Sequence, residues 1–289
     1  MVILGLGYAG AAIARDAVAA GFTVAGTRRD PGSGPPLPGV EVIAFADASD
    51  AVRDATHVVS TAAPLPQGDP GLLAHRGALQ DSTTLRWIGY LSTTGVYGDR
   101  GGGWVDEASH PAPGQDRSRL RLAAEQGWSD FSDRAAVDLF RTGGIYGPGR
   151  SPFDEVRTGA ARRVVRPGHS FSRIHRDDIA LAVAAAARAP PAPGVRVLHL
   201  VDDEPCPQAE FMAEAARLLG APPPPELPYE SVAAAMSPMA RSFWAENRKV
   251  SSARTREALG IAWRYPTYRE GLAATLAAEG GAAPAPVGA

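Results

Sequence analysis

Three glycines near the start of the chain have the spacing of a phosphate-binding turn. Gly5, Gly7 and Gly10 form the pattern G-x-G-x-x-G, which follows an apolar run and precedes a helix-forming segment. The first glycine permits a tight turn, the second lets a pyrophosphate approach the backbone, and the third lets strand and helix pack closely. The N–H groups that open the helix, around Tyr8 and Ala9, add hydrogen-bond donors and a positive dipole end. The pattern predicts a dinucleotide site; the alternative is a turn that only joins a strand to a helix.

The end of the second predicted strand bears on which dinucleotide is bound. Thr27, Arg28 and Arg29 occupy the position where NAD-binding proteins hold a carboxylate against the ribose 2′-hydroxyl. A guanidinium there pairs instead with a 2′-phosphate, so we expect NADP to be preferred over NAD. An exposed basic turn is the alternative. Asp47 is a candidate acceptor for the adenine amine or, equally, a helix cap. Ala62, after the fourth predicted strand, completes the expected cofactor site.

Short β-rich runs alternate with helical runs through the first half of the chain. The predicted strands are 2–5, 23–27, 40–45, 57–61, 85–92 and 136–141, and the predicted helices are 9–20, 72–79 and 118–130. Parallel strands need long crossover connections, usually helices. The alternation therefore predicts an α/β fold with a Rossmann-type, doubly wound parallel sheet.

This rhythm changes after Tyr146, which suggests a second, smaller lobe. We expect a dinucleotide-binding domain over 1–150 and a C-terminal substrate lobe over 151–275, with elements of 173–203 returning to the first domain. Within the second half, 150–176 is predicted as a basic loop, 177–188 and 208–219 as helices and 195–201 as a strand. The small, proline-rich stretch 280–289 is predicted to be a disordered tail.

Composition argues against several classes of partner. With 29 basic and 31 acidic residues the net charge is −2, which gives no signal for binding nucleic acid or an anionic membrane. Cys206 is the single cysteine, so an internal disulfide is excluded and a reducing compartment is expected. The first apolar run begins at Met1 without a charged leader, and no apolar stretch approaches about 20 residues. We expect a cytoplasmic protein that acts on a small molecule.

Six segments carry a common set of motifs: the glycine turn, "LSTTGVYGD" at 91–99, "RTGGIYGPGR" at 141–150, "RIHRDDIA" at 173–180, "NRKVSSARTREALG" at 247–260 and "RYPTYREGL" at 264–272. Together they resemble the extended short-chain dehydrogenases/reductases, the NAD-dependent epimerase/dehydratase superfamily. The resemblance covers about residues 1–275. It implies a nicotinamide cofactor and a substrate lobe, and it is compatible with a homodimer.

The chain departs from that family at its two best-known catalytic positions. The family has a tyrosine that exchanges a proton with the substrate and, four residues later, a lysine that holds the nicotinamide ribose. Arg117 and Arg121 stand at those positions here. Arg121 is expected to bind ribose hydroxyls in place of the lysine. Arg117 cannot replace the phenol, because a guanidinium stays protonated at physiological pH. The departure resembles the atypical subgroup that lacks the Tyr/Lys pair.

Three other side chains are candidates for catalysis. Thr93 stands at the family's catalytic Ser/Thr position and is expected to orient a substrate oxygen, although packing at a strand end is an equal alternative. Tyr97 and Tyr146 lie at ends of predicted parallel strands, where open α/β sheets bind ligands. Either tyrosine is a candidate proton source, and the favoured alternative is a buried ring with a satisfied hydroxyl.

His175, Asp177 and Asp178 offer metal ligands by type, but they stand where a helix begins. We expect them to serve the helix terminus and expect no metal site.

An excess of arginine in one segment of the second half suggests that the substrate carries negative charge. Between Arg150 and Arg176 the chain has seven arginines against two carboxylates, which favours an anionic substrate, with a solvated basic loop as the alternative. Segment 237–250 is interpreted first as packing and second as pocket lining.

Three hypotheses follow for the function. The first is an NAD(P)-dependent oxidoreductase or epimerase-like enzyme acting on a small hydroxyl- or carbonyl-bearing substrate, with anions and sugar nucleotides among the candidates. The second is a non-catalytic NADPH sensor, and the third is redox-neutral epimerisation or dehydration with a retained cofactor.

Overall fold

The computed structural model describes residues 1–280; of the tail predicted as disordered, 281–289 lie outside the described residues. Helices are α1 Tyr8–Ala19, α2 Ser49–Asp54, α3 Pro70–Asp81, α4 Asp116–Ser129, α5 Phe153–Arg157, α6 Arg176–Arg188, α7 Gln208–Leu218, α8 Tyr229–Val232, α9 Pro238–Trp244, α10 Ala253–Leu259 and α11 Tyr268–Ala278. Strands are β1 Val2–Leu4, β2 Val24–Arg28, β3 Val40–Ala44, β4 His57–Ser60, β5 Trp87–Thr93, β6 Trp104–Val105, β7 Ala136–Thr142, β8 Gly144–Tyr146, β9 Arg163–Val165, β10 Arg173–His175, β11 Gly194–Leu200, β12 Glu226–Pro228 and β13 Lys249–Val250.

Seven of these strands form one parallel sheet in the order β11-β7-β5-β4-β1-β2-β3. The prediction of a doubly wound α/β fold is confirmed. The strand order reverses at β1, which lies between β4 and β2. Ligands of open parallel sheets bind at such a reversal, beyond the carboxyl ends of the strands.

Helices cover the sheet on both faces. Against one face α1 and α6 pack together, and their apolar residues, such as Ile13 and Ile179, share a cluster with Phe140 of β7. On the other face Leu79 of α3 and Trp128 of α4 pack in a second cluster. Both faces of the sheet are covered, and every residue of β7 is buried, including the charged Asp138 and Arg141.

The second lobe is built from short elements. Two-stranded parallel pairs join β8 to β10, β9 to β12 and β6 to β13. The prediction of a continuous loop over 150–176 was wrong, since α5, β9 and β10 lie within it. Strands of two or three residues carry no readable periodicity, which is why they were missed. Further along the chain, β11 returns to the large sheet beside β7. Between residues 1 and 280 there is no helix of the length and hydrophobicity needed to cross a membrane.

Candidate functional site

The glycine turn joins β1 to α1 at the reversal of the strand order. Gly5 has φ +107°, and a Cβ there would lie 2.7 Å from Thr61 Oγ1. A Cβ on Gly10 would collide with the carbonyl oxygen of Gly5, so strand and helix can approach only without side chains at these two positions. A Cβ on Gly7 would meet nothing within 4 Å. The space in front of Gly7 is therefore open to a ligand.

The first turn of α1 offers backbone donors to that space. Gly7 is the N-cap and no side chain caps the helix; the N–H of Ala11 is bonded back to the carbonyl oxygen of Gly7. The N–H groups of Tyr8, Ala9 and Gly10 therefore precede the first intrahelical bond. Donors of this kind, with the positive end of the helix dipole, bind phosphate oxygens.

Tyr8 is fixed beside this turn by the second half of the chain. Its hydroxyl donates to the carbonyl oxygen of Pro148 at 3.1 Å, and the Arg176 guanidinium lies 4.8 Å from its ring centre. The exposed Arg150 guanidinium is 5.8 Å from the same ring. Two guanidinium groups therefore lie beside the ring of Tyr8.

At the end of β2 the two arginines differ in their surroundings. Arg28 donates to the carbonyl oxygens of Ser33 and Pro35 and so holds the loop that follows β2. Arg29 is exposed and forms no hydrogen bond or ion pair with residues 1–280. Thr27 is buried, and its Oγ1 accepts the N–H of Gly5 at 2.9 Å.

Asp47 is exposed at the end of a 3-10 helix, Phe45–Asp47, that follows β3. The alternative that it caps a helix is wrong: Ala48 is the N-cap of α2, and no side chain caps that helix.

Arg121 lies at the carboxyl ends of β4 and β5. Its Nη1 donates to the carbonyl oxygens of Ala62 at 3.1 Å and Leu91 at 2.8 Å, and to the hydroxyl of Tyr90 at 3.0 Å. The expected cofactor residue Ala62 and the expected ribose ligand Arg121 are therefore neighbours. Since only Nη1 is used in these contacts, the rest of the guanidinium can still donate to a ligand.

A cavity of about 240 Å³ lies between the carboxyl ends of the strands and the second lobe. Thr93 of β5 and Thr142 of β7 line it from the sheet, and Arg117 lines it from α4. Thr93 Oγ1 accepts the N–H of Gly95 at 3.1 Å, so it also caps the short 3-10 helix Thr94–Tyr97. Thr93 therefore makes the strand-end contact that was its alternative, and it also lines the cavity.

Segment 237–250 supplies the opposite wall of the cavity. Phe243, Trp244, Glu246, Arg248 and Val250 all line it. The interpretation of this segment as packing first was too narrow, and its pocket-lining alternative describes these residues better. The mixture of aromatic and charged side chains was the readable signal. No local pattern indicated that Glu246 and Arg248 line the same cavity as Arg117, because their placement depends on how the lobe folds back.

Tyr97, a candidate proton source, does not line the cavity. The side chain is fully buried, and its hydroxyl is bonded to His199 Nε2 at 2.6 Å and accepts Arg141 Nη1 at 2.7 Å. Tyr146 is also buried, and burial raises the pKa of its phenol. The alternative of buried rings fits both tyrosines, although the hydroxyl of Tyr146 has no partner within residues 1–280.

The N-terminus of α6 is capped by His175 and not by Asp177 or Asp178. His175 is the N-cap, and its Nδ1 accepts the N–H of Asp177 at 3.1 Å. Asp178 accepts the backbone N–H groups of Arg264 and Tyr265 and fixes the segment before α11. No group of three or more potential metal ligands comes together in the described part of the chain.

The basic segment between Arg150 and Arg176 is mostly committed to contacts within the protein. Arg157 pairs with Asp154 and Arg163 with Glu226, while Arg166 donates to the carbonyl oxygen of Trp244. Of the seven arginines, Arg173 lines the cavity.

No family model matches the chain. A 3-diazoavenalumate denitrifying reductase of a Streptomyces species is 34% identical over 173 residues, which are 56% of this chain and 54% of that protein. The chain thus matches only about half the length of this relative. Protein YeeZ of Escherichia coli K12 is 27% identical over 241 residues, 78% of this chain and 85% of YeeZ.

Solved structures match over nearly the whole chain. A functionally unknown conserved protein from Silicibacter pomeroyi is 40% identical with a TM-score of 0.86, and the match covers 96% of this chain and 98% of that one. A putative NAD-dependent epimerase/dehydratase from Methylobacillus flagellatus is 26% identical with a TM-score of 0.69, covering 96% and 97%. The human epimerase family protein SDR39U1, solved with NADPH, is 20% identical with a TM-score of 0.74, covering 95% and 99%.

The parallel sheet with its glycine turn agrees with these likenesses. Solved structural neighbours of the chain include NAD-dependent epimerase/dehydratase and extended short-chain dehydrogenase/reductase proteins, and the chain shares their Rossmann-type fold.

Proposed function

We propose that the protein is an NADP(H)-dependent oxidoreductase that acts on a small hydroxyl- or carbonyl-bearing substrate held in the cavity beside Thr93. One observation carries the proposal: a single helix, α4, serves both halves of the site. Arg121 contacts the strand ends on the cofactor side, and Arg117, one turn earlier, lines the cavity. Residues four apart on a helix lie on the same face, so the two ligands would be adjacent.

The residues around the glycine turn fit a dinucleotide. The open space at Gly7 and the free N–H groups of Tyr8, Ala9 and Gly10 suit a pyrophosphate. The guanidinium of Arg29 suits a 2′-phosphate. Arg28 could join it if its hydrogen bonds to the carbonyl oxygens of Ser33 and Pro35 were released. When bound, NADPH supplies a hydride. In this proposal Arg121 donates to the nicotinamide ribose, Thr93 orients the substrate oxygen, and Asp47 is available to the adenine.

Two relatives support the redox assignment. The reductase from Streptomyces carries reduction in its name, and human SDR39U1 was solved with NADPH. MoeE5, which was solved with NAD and UDP-glucuronic acid, shares the fold at a TM-score of 0.73 but only 19% identity. The cofactor class is therefore better supported than any sugar-nucleotide substrate.

A non-catalytic NADPH sensor is the second candidate, and the lining of the cavity favours it. Among the described residues, that lining includes no tyrosine, histidine, lysine or cysteine, and Glu246 is its one carboxylate. A reaction that needs a strong proton donor would therefore depend on Glu246 or on water. A binding protein would need neither.

Cofactor binding is tested first, by titrating the purified protein with NADPH and NADH. The titration is repeated with Arg28→Ala, Arg29→Ala and, as a matched control, Arg188→Ala, an exposed arginine at the end of α6. We expect NADPH to bind at least tenfold more tightly, a difference of about 1.4 kcal/mol, and Arg29→Ala or Arg28→Ala to remove this preference. Equal affinities for the two nucleotides would contradict the NADP assignment, and no binding would remove both candidates.

Turnover separates the enzyme from the sensor. NADPH consumption is followed with a panel of aldehydes, ketones and sugar nucleotides, using wild type, Gly7→Val and the double variant Thr93→Ala, Arg121→Ala. Turnover that disappears in both variants supports the enzyme. Tight NADPH binding without turnover supports the sensor, and wild-type turnover in the double variant rejects the roles given to Thr93 and Arg121.

A further inference from the structure

Arg117, at the position of the family's tyrosine, is a guanidinium without a partner. Its side chain lies in the cavity wall, with its central carbon 3.9 Å from the ring centre of Phe243. Across residues 1–280 it takes part in no hydrogen bond and has no carboxylate oxygen within 4.0 Å. Burial lowers the pKa of Arg117, and the more distant Glu246 offsets this only in part. Binding of an anion stabilises a partly buried cation in this condition.

The other charged groups of the cavity already have partners. Glu246 Oε2 accepts Arg248 Nη1 at 3.0 Å, and the same Nη1 donates to the carbonyl oxygen of Gly98 at 2.9 Å. Arg173 Nη1 donates to the carbonyl oxygens of Phe171 and Cys206. Three arginines against one glutamate leave a net charge of +2 in the lining (3 − 1 = 2). Arg117 is thus the lining cation with no protein partner among the described residues.

Aromatic rings form much of the remaining wall. Phe171 and Trp244 line the cavity and stand edge to face, with ring centres 5.0 Å apart, and Phe243 covers Arg117. The cavity has a volume of about 240 Å³, and its aromatic wall suits a flat ring.

We infer that Arg117 is a carboxylate receptor and that the substrate is a small carboxylate with a flat apolar body. The inference rests on the proposed function for its redox chemistry, and it concerns the same cavity. A guanidinium stacked on an aromatic ring keeps its N–H edge free for a two-point contact with a carboxylate. The apolar body then lies against Phe171 and Trp244. Arg121, one turn further along α4, brings the cofactor side of the site next to it.

Matched acid and amide probes test this inference. Benzoate, phenylacetate and their neutral amides, benzamide and phenylacetamide, are titrated calorimetrically into the protein saturated with NADPH. The variants are Arg117→Met, Arg117→Lys and the control Arg119→Met, which changes an exposed arginine of the same helix that pairs with Asp116. UDP-glucose and inorganic phosphate complete the panel.

We expect at least one acid to bind more tightly than its amide, with at least a tenfold loss in Arg117→Met, a smaller loss in Arg117→Lys and no loss in Arg119→Met. The affinity of the amides should not change in Arg117→Met. The inference is overturned if neither acid binds below 20 mM, if an amide binds as well as its acid, if Arg117→Met keeps the affinity, or if UDP-glucose or phosphate is the ligand that depends on Arg117.

The proposed function fails separately from this inference. The same titration without cofactor, together with the NADPH titration of wild type, shows whether a nicotinamide nucleotide binds at all. If an acid binds through Arg117 but NADPH does not bind, the carboxylate-receptor inference stands. The proposal of an oxidoreductase is then rejected.

Discussion

Arg141 and Glu125 form a two-point ion pair in the interior, between β7 and α4. Arg141 Nη2 lies 2.7 Å from Glu125 Oε2, and Arg141 Nε lies 3.0 Å from Oε1. Both side chains are at most 5% exposed. Ser92 donates to the same carboxylate, and Arg141 also donates to Tyr97, so the pair anchors the strand ends beneath the cavity.

Removing one partner of this pair should strongly destabilise the protein. We expect Glu125→Ala to lower the free energy of unfolding by about 3–5 kcal/mol, because the buried guanidinium of Arg141 loses its counter-charge. Arg119→Ala, at an exposed pair on the same helix, should cost less than about 1 kcal/mol. Urea denaturation of both variants measures the difference, and equal costs would show that the buried pair is not structural.

Tyr97→Phe should reduce stability and leave the chemistry intact. The variant removes the hydroxyl that His199 and Arg141 share, and we expect a loss of about 1–3 kcal/mol. For any substrate that is turned over, kcat and KM at 25 °C should stay within about twofold of wild type. A loss of turnover beyond tenfold in a folded variant would restore Tyr97 to the catalytic site.

In the glycine turn, we expect substitution of Gly10 to lower stability and substitution of Gly7 to lower NADPH affinity. Gly10→Ala places a methyl against the carbonyl oxygen of Gly5 and should cost about 1–3 kcal/mol or more in stability. Gly7→Ala meets no protein atom within 4 Å, so its stability should change by less than about 1 kcal/mol.

NADPH affinity should nevertheless fall at least tenfold in Gly7→Ala, because the methyl occupies the space proposed for the pyrophosphate. Thermal unfolding and NADPH titration of both variants separate the two effects. Unchanged NADPH affinity in Gly7→Ala would place the nucleotide elsewhere.

His175 should make the protein sensitive to acid. Burial lowers the pKa of His175 from 6.5 to about 4 in the folded protein, because its ring packs against Tyr146 and Tyr265 and its Nδ1 accepts a backbone N–H. The unfolded chain therefore binds a proton first as the pH falls. This contribution to stability is complete above pH 6.5, decreases between pH 6.5 and about 4, and amounts to at most roughly 3 kcal/mol.

The stability of wild type and His175→Asn is compared by denaturation at several values between pH 4 and 7. We expect the variant to show a smaller decrease over this range, even if its stability at pH 7 is lower. His110→Asn, at an exposed histidine, serves as the control. Parallel curves for wild type and His175→Asn would show that another group causes the acid sensitivity.

The large sheet was readable from the sequence because its strands are long, apolar and separated by helices. All six strands predicted for the first half agree with the observed strands to within two residues at each end. The glycine turn was readable for a similar reason, since its three positions are close in sequence and their spacing has a mechanical cause. The dinucleotide fold therefore followed from local patterns.

The cavity was less predictable because its walls come from distant parts of the chain. Thr93 and Arg117 were singled out from the family resemblance, but Glu246 and Arg248 join them in the lining of the cavity only through the fold of the second lobe. The burial of Tyr97 likewise depends on His199, which is 102 residues away. Such pairings leave no local spacing to read.

Because β11 pairs with β7 in the large sheet, truncation of the chain before β11 would leave the sheet incomplete. A recombinant fragment ending near residue 150 would lack β11 and α6, and would expose β7, whose seven residues are all buried in the intact protein. An open, apolar strand at the margin of a sheet invites pairing with other molecules and aggregation. The first half of the chain is therefore not a module that can be cut out, and during synthesis its sheet remains incomplete until residue 200 has left the ribosome.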